Sequence, residues 1–189
     1  MREILKLSGI LTVITVCAAA ALANVYLVTR DKIAAVEKMR EESARSSVLP
    51  EAAIFKMDST SDGLIYYYGY ADSSAGAQPI GFVAMALGQG YSSTIRTVVG
   101  VDREMSITGI KVAFQQETPG LGTRVEEVRR GQKTPWFQDQ FKGKKIEQLE
   151  VVRAKDPARI EAITGATISS KAVTNSVREA LTKLKTVVK

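Results

Sequence analysis

An uncharged stretch of 23 residues, Leu7 to Thr29, limits what this chain can fold into. As a helix, the stretch would be roughly 35 Å long, enough to cross the hydrocarbon core of a bilayer. Charged residues lie close to both ends, with Lys6 before it and Arg30 after it. We therefore predict a single N-terminal transmembrane helix, with residues 1–30 as a membrane anchor. A cleaved signal peptide is the alternative, because Ala21-Leu22-Ala23 has the small-residue spacing of a cleavage site.

The charges around this stretch do not decide its orientation. Two basic residues precede it, and five follow it at Arg30, Lys32, Lys38, Arg40 and Arg45. The positive-inside rule thus argues against export of the following domain, although long domains cross membranes largely regardless of charge.

The segment 31–50 is predicted to form a juxtamembrane helical stalk. Its apolar residues Ile33, Val36 and Met39 recur at three-residue steps, as on one face of a helix. This face is either solvated or docked on a partner protein. The remainder, residues 51–189, is predicted to be a separate domain.

The pattern beyond Pro50 predicts an α+β domain with antiparallel strands and a C-terminal helix. Runs typical of short strands are 64–70, 80–87, 94–101 and 107–114, with a loop of small residues at 71–77. Short strands joined by short turns favour an antiparallel meander.

Two helices are predicted after these strands. Thr134-Pro135 suits the start of a short helix whose aromatic residues, Trp136, Phe137 and Phe141, are expected in the core. The last helix is predicted from near Ser170 to Lys185, with Val173, Val177, Leu181 and Leu184 on its buried face. Lys133 and Lys144 are expected to be accessible on the surface.

Composition excludes several function classes. The chain has no histidine, and its one cysteine, Cys17, lies inside the apolar stretch. Catalysis by Ser-His-Asp or Cys-His, haem ligation by His or Cys, four-cysteine iron–sulfur ligation and ordinary zinc sites are therefore excluded. A net charge of +6 does not indicate nucleic-acid binding, because basic and acidic residues alternate in most segments. Any redox chemistry requires an organic cofactor.

The loop Thr164-Gly165-Ala166-Thr167-Ile168-Ser169-Ser170 precedes the last predicted helix. Backbone N–H groups at a helix N-terminus bind anions, and glycine and alanine leave the approach open. The same hydroxyl residues are also typical of helix capping, and the spacing alone leaves both interpretations open.

A second loop, Glu117-Thr118-Pro119-Gly120-Leu121-Gly122-Thr123-Arg124, follows the strand that ends near Phe114. Pro119-Gly120 suits a tight turn, and Gly122 permits close approach of another group to the backbone. The loop either offers N–H donors to a planar ligand or is an ordinary connection.

These two loops resemble known motifs. The run Thr164-Gly165-Ala166-Thr167, followed by Ser169, is similar to the S/T-G-A-T-x-S/T flavinylation motif of Rnf-type complex G subunits. The run Glu117 to Gly122 is similar to the E-T-P-G-L-G signature of the same FMN-binding domain. The order of elements also matches over essentially the whole chain.

The resemblance implies a covalent phosphoester between FMN and the Thr167 hydroxyl, formed by an ApbE-type flavin transferase. It implies that Thr164, Gly165, Ala166 and Ser169 shape the phosphate end, with Lys171 as a nearby cation. The residues implied to flank the flavin ring are Glu117, Thr118, Pro119, Gly120, Leu121, Gly122 and Thr123.

The implied function is electron transfer within a membrane complex that couples ferredoxin–NAD electron transfer to translocation of Na⁺ or H⁺. The chain is expected to be a single-pass inner-membrane protein with its domain on the extracytoplasmic side. Its expected partners are lipid and the other membrane and redox subunits, and it has no catalytic residue of its own. One alternative is the C subunit of a sodium-translocating NADH:quinone oxidoreductase. The other is a membrane-tethered binding domain without a cofactor.

Overall fold

The N-terminal part of the chain is one long helix. The computed structural model describes residues 1–60, 63–72 and 78–188, and it divides into two units, Met1–Met39 and Arg40–Lys189. Helix α1, Arg2–Val48, includes all of the first unit except Met1 and continues into the second. It is long and apolar enough to cross a membrane by length and composition. The limits of anchor, stalk and domain at residues 30 and 50 stay predictions.

The second unit is built on a five-stranded antiparallel sheet. Its strands are β1 Ile54–Ser59, β2 Ile65–Tyr70, β3 Gly81–Gln89, β4 Thr94–Asp102 and β5 Ile107–Phe114, paired in chain order. The predicted α+β class and antiparallel meander are confirmed. Strand β1 was not predicted, because it is an edge strand whose last four residues are exposed, so it lacks a buried apolar pattern. Residues 73–77 of the predicted 71–77 loop lie outside the described residues.

Helix α3 packs on one face of this sheet. It spans Thr167–Val187, and the four apolar residues predicted to face the core are all fully buried. The prediction that it begins near Ser170 is wrong by one turn. The hydroxyl of Ser170 donates to the Ala166 carbonyl oxygen within the helix, at 2.9 Å, instead of capping it.

The segment between β5 and α3 adds short elements. Helix α2 is a single turn, Trp136–Asp139, and Pro135 precedes it instead of occupying its first position. Trp136, Phe137 and Phe141 are buried in the main core as predicted, with successive rings meeting edge to face. A two-stranded parallel pair follows, formed by β6 Val151–Val152 and β7 Ile160–Glu161.

One surface expectation is wrong. Lys144 is only 8% exposed, and its ammonium donates to the Pro157 carbonyl oxygen at 2.5 Å. Lys133 is exposed, as expected.

The end of α1 covers the opposite face of the sheet. Ala44, Val48, Leu49 and Ala52 form a second buried cluster with Val83 and Val98. Thr108 donates its hydroxyl proton to the Val48 carbonyl oxygen at the end of the helix. Polar contacts flank the cluster: Arg96 pairs with Glu41 at 3.2 Å, and the Arg45 guanidinium lies 4.4 Å from the Tyr67 ring centroid. The last turns of α1 are therefore part of the folded second unit.

We expect a chain that begins at Arg40 to be markedly more stable than one that begins at Pro50. The shorter chain loses the burial of Val48 and Leu49, which is worth roughly 3–6 kcal/mol for two apolar side chains. Urea unfolding of the two soluble chains measures the difference. The matched control is Ser46→Ala in the longer chain, because Ser46 is exposed in the same turns. Equal unfolding midpoints for the two chains would show that the helix end does not stabilise the sheet.

Candidate cofactor site

The two loops singled out from the sequence meet at one cavity of about 570 Å³. A volume of this size lies within the range of small-molecule and cofactor sites. The predicted residues that line it are Glu117, Thr118, Leu121, Gly122, Gly165, Ala166, Thr167 and Ser169. The predicted residues that do not line it are Pro119, Gly120, Thr123, Thr164 and Lys171. Tyr91 and Ile168 line it without having been predicted.

The carboxylate of Glu117 holds three segments together at this cavity. One oxygen accepts hydrogen bonds from the backbone N–H groups of Ser92 and Ser93, each at 3.0 Å. The other accepts from the Tyr91 N–H at 3.0 Å and from the Ser169 hydroxyl at 2.5 Å. The side chain therefore connects the β3–β4 turn, its own loop and the first turn of α3.

Glu117 is charged although it is only 4% exposed. Burial by itself raises the pKa of this carboxyl group. The hydrogen bonds from the Ser169 hydroxyl and from three backbone N–H groups outweigh burial, so the pKa lies below its ordinary value. A buried carboxylate with all these donors is a stable structural anion.

The rest of this loop is shaped by a tight turn. The Leu121 N–H donates to the Thr118 carbonyl oxygen at 3.1 Å, and Gly120 has a φ of +75°, as a type II turn requires at that position. At Gly122, an added Cβ would lie 2.6 Å from both the Glu117 Cβ and the Ser169 Oγ. The small size of Gly122 therefore permits the contact between Glu117 and Ser169.

The start of α3 lies at the cavity and leaves backbone donors without a partner among the described residues. Ala166 occupies the N-cap position and no side chain caps the helix. The first N–H to bond within the helix is that of Ser170, which donates to the Ala166 carbonyl oxygen at 3.0 Å. Within the described residues, the backbone N–H groups of Thr167, Ile168 and Ser169 thus have no hydrogen-bond partner. The structure favours anion binding over capping for this loop.

The hydroxyl groups of the loop differ in their availability. Ser169 and Ser170 are buried and use their hydroxyls in the bonds to Glu117 and Ala166. Thr164 is exposed and lies outside the cavity. Thr167 is partly buried, lines the cavity, and its hydroxyl makes no hydrogen bond within the described part of the chain.

A second carboxylate, that of Glu127, is linked through Arg124 to the loop before α3. The Glu127 carboxylate accepts hydrogen bonds from the Trp136 indole N–H at 3.2 Å and from the Arg124 Nε at 3.1 Å. These two bonds lower the pKa of Glu127. Arg124 also donates to the Thr164 carbonyl oxygen at 3.3 Å. Glu127 therefore orients an arginine that holds the start of the Thr164–Thr167 turn.

Exposed apolar side chains form part of the cavity wall. Tyr91 is 73% exposed, Ile168 is 54% exposed and Leu121 is 46% exposed. Such residues favour a flat aromatic ligand, because a ring that packs against them removes their exposed apolar area from water. No short sequence pattern indicates Tyr91, which is placed here by a bond to Glu117, 26 positions further along the chain.

Comparisons with known proteins show the family of this chain. Residues 90–182 match a family model described as the FMN-binding domain, and this range contains both loops. The chain is 31% identical over 187 residues to the G subunit of the ion-translocating oxidoreductase complex of Methanosarcina acetivorans, covering 95% of this chain and 94% of that protein. It is 33% identical over 196 residues to the G subunit of the Na(+)-translocating ferredoxin:NAD(+) oxidoreductase complex of Acetobacterium woodii, covering 93% and 89%.

A solved structure has a similar fold. It is the C subunit of the Na(+)-translocating NADH-quinone reductase from Parabacteroides distasonis, with a TM-score of 0.51 and 25% sequence identity. The match covers 67% of this chain and 63% of that chain.

We expect Glu117→Gln to lower the free energy of unfolding at pH 7 by roughly 1–3 kcal/mol, since an amide replaces a charged acceptor of several donors. The folded-state pKa of Glu117 lies below the ordinary value of a glutamate in an unfolded chain. Its stabilising contribution is therefore complete above that unfolded value and is lost as pH falls through the folded pKa.

Denaturant unfolding between pH 7 and pH 3 tests this expectation. Native protein should lose more stability below about pH 4.5 than the Glu117→Gln variant does. Glu51→Gln is the control, because Glu51 is exposed and outside the cavity. Parallel stability curves for the native chain and Glu117→Gln would contradict the role given to this carboxylate.

Proposed function

Because this chain belongs to the family of G subunits of ion-translocating oxidoreductase complexes, we propose that it carries FMN bound covalently to Thr167. An electron-transport role within such a complex follows from the family itself. The finer proposal is that the complex couples ferredoxin:NAD electron transfer to translocation of Na⁺ or H⁺. Its other membrane and redox subunits are the proposed partners, with an ApbE-type flavin transferase for maturation.

The observation that carries the proposal is the position of the Thr167 hydroxyl. Of the loop's four hydroxyl residues, two are buried in hydrogen bonds and Thr164 lies outside the cavity. Thr167 alone combines a free hydroxyl with a place in the cavity wall, within the described part of the chain. It is also the first residue of α3, where the N–H donors converge.

These residues suit a phosphoester. A phosphodiester keeps one negative charge, which the free N–H groups and the positive end of the α3 dipole stabilise. Glu117 does not compete for those donors, because its own donors are in the β3–β4 turn and the Ser169 hydroxyl. Lys171 is exposed one turn into α3 and would add a long-range favourable charge. FMN, when bound, supplies the capacity to exchange one or two electrons.

The chain's own residues would then orient and shield the ring. Tyr91, Leu121 and Ile168 present the apolar surface of the cavity wall. Pro119, Gly120 and Thr123 do not line the cavity, and we propose that they act by fixing the turn that presents Leu121. Thr123 does this directly, since its hydroxyl oxygen accepts from the Gly120 N–H at 3.1 Å.

The C-subunit alternative is less well supported. The relatives named as G subunits match over about nine-tenths of their length, whereas the C-subunit structure matches over 63% of its chain. A cofactor-free tether does not explain the match of residues 90–182 to the FMN-binding domain.

We expect Thr167→Ala to abolish covalent FMN when the chain is produced together with a flavin transferase. Without the hydroxyl, no phosphoester can form at this position, while the fold keeps its contacts. Intact-chain mass and flavin fluorescence in a denaturing gel measure attachment. Thr182→Ala is the matched control and should keep the flavin, because Thr182 is an exposed hydroxyl residue of the same helix outside the cavity. Flavin retained in Thr167→Ala would overturn the assignment.

We also propose that the domain lies on the extracytoplasmic side of the inner membrane. This rests on the family, since the charges flanking α1 are indecisive. The exposed side chain of Lys133 and the N-terminal Lys6 are suitable reporters, because they lie on opposite sides of the uncharged stretch.

Labelling single cysteines with a membrane-impermeant maleimide tests the orientation. In a Cys17→Ser background, Lys133→Cys should react in intact spheroplasts, whereas Lys6→Cys should react only after the membrane is opened. The reverse pattern would place the domain in the cytoplasm.

A further inference from the structure

A second concave site lies away from the cofactor cavity. It is a groove of about 290 Å³ between the α2 region and the loop that joins β6 to β7. Its charged lining residues are Arg129, Lys144, Lys155, Arg159, Asp156 and Glu161. None of them lines the cavity at Thr167. The groove lies in segment 129–161, which holds nine basic and five acidic residues and so carries most of the chain's net charge of +6.

Lys144 is a buried lysine in the lining of this groove. The residue is 8% exposed, and among the described residues its ammonium has one hydrogen-bond partner, the Pro157 carbonyl oxygen. Among the described residues, no carboxylate lies within 4.0 Å of its Nζ. A buried ammonium without a counter-ion is costly, and two of its three N–H donors are left for a ligand.

The other charges of the groove leave an excess of positive charge. Arg159 is compensated, since it pairs with Glu150 at 3.2 Å and Asp156 at 3.7 Å. Arg129 and Lys155 form no ion pair within 4.0 Å in the described structure. The Arg129 guanidinium carbon lies 3.7 Å from the Trp136 ring centroid, which holds the group in place at the groove wall.

The charges indicate which anion fits. Four cations and two carboxylates line the groove, and the Glu150 carboxylate that pairs with Arg159 lies outside this lining. The lining therefore favours an anion, and a phosphate group offers several acceptor oxygens to the open ammonium donors. Clustered Lys and Arg donors are the usual means by which proteins bind phosphate.

We propose that this groove is a binding site for a phosphate group, with Lys144 as the buried contact and Lys155 and Arg129 as contacts at its rim. The group belongs either to a soluble phosphate-bearing molecule or to a phospholipid headgroup.

The chain contains a built-in reporter for this site. Trp136 is its only tryptophan, and it lines the groove. The full chain, produced without a flavin transferase and held in an uncharged detergent, is titrated with inorganic phosphate while Trp136 fluorescence is followed. Chloride at the same ionic strength corrects for screening. We expect a saturable change with phosphate and none with chloride.

Three variants identify the residues responsible. Lys144→Met and Lys155→Met should each raise the phosphate concentration at half-saturation roughly ten- to a hundredfold, which is the effect of losing one charged hydrogen bond. Lys155 is exposed and makes no contact that the fold needs, so its variant remains informative if Lys144→Met does not fold. Lys142→Met is the control, since it removes the same charge from an exposed neighbour outside the groove.

Nanodiscs distinguish the two sources. If the group is a lipid headgroup, nanodiscs that contain phosphatidate should produce the Trp136 change in the native chain but not in Lys155→Met. If it is soluble, phosphatidate should have no effect, and added phosphate should act equally in all nanodiscs. The proposal is overturned if phosphate causes no change in Trp136 fluorescence, or if Lys142→Met weakens phosphate binding as much as Lys155→Met does. Either result leaves the assignment of Thr167 unaffected, because the two sites share no lining residue.

Discussion

The bond network of the Glu117 carboxylate is the interaction on which the cofactor site depends. Its five hydrogen bonds come from the Tyr91–Ser93 turn and from Ser169, so one side chain fixes three segments that are far apart in sequence. Gly122 permits this arrangement because any side chain there would collide with Glu117 and Ser169. The loop after β5 therefore shapes the cavity by holding the start of α3 in place, and four of its residues line the cavity: Glu117, Thr118, Leu121 and Gly122.

This network also explains why the first-turn N–H groups of α3 remain available to a ligand. Ser169 lies in the first turn of the helix, and its hydroxyl donates to Glu117. Ser170 bonds to the backbone inside the helix, and the N-cap residue is an alanine, which has no capping group. The first-turn donors are consequently left for an external anion. Serine and threonine commonly cap a helix, but here they leave the first-turn N–H groups uncapped beside Thr167.

The sequence predicted much of this fold, and its failures have physical causes. Strands β2 to β5 and the buried face of α3 follow from apolar periodicity, which is a local property. Strand β1 was missed because an edge strand with exposed residues has no such periodicity. The start of α3 was misplaced because a serine inside a helix looks like a cap until its burial is known. Tyr91 and the buried position of Lys144 depend on contacts between distant segments, which no short pattern encodes.

An exposed cavity wall also bears on why a covalent bond would be useful here. An electron carrier must bring its cofactor close to more than one partner, so its site cannot enclose the ring completely. Tyr91, Leu121 and Ile168 are 73%, 46% and 54% exposed, so they can pack against a ring without enclosing it. Affinity from the phosphate alone is limited as well, because first-turn N–H groups exchange a ligand for water at modest cost. A bond to Thr167 would separate retention from enclosure, because the helix start would fix one end of the cofactor while the apolar side of the cavity remained accessible.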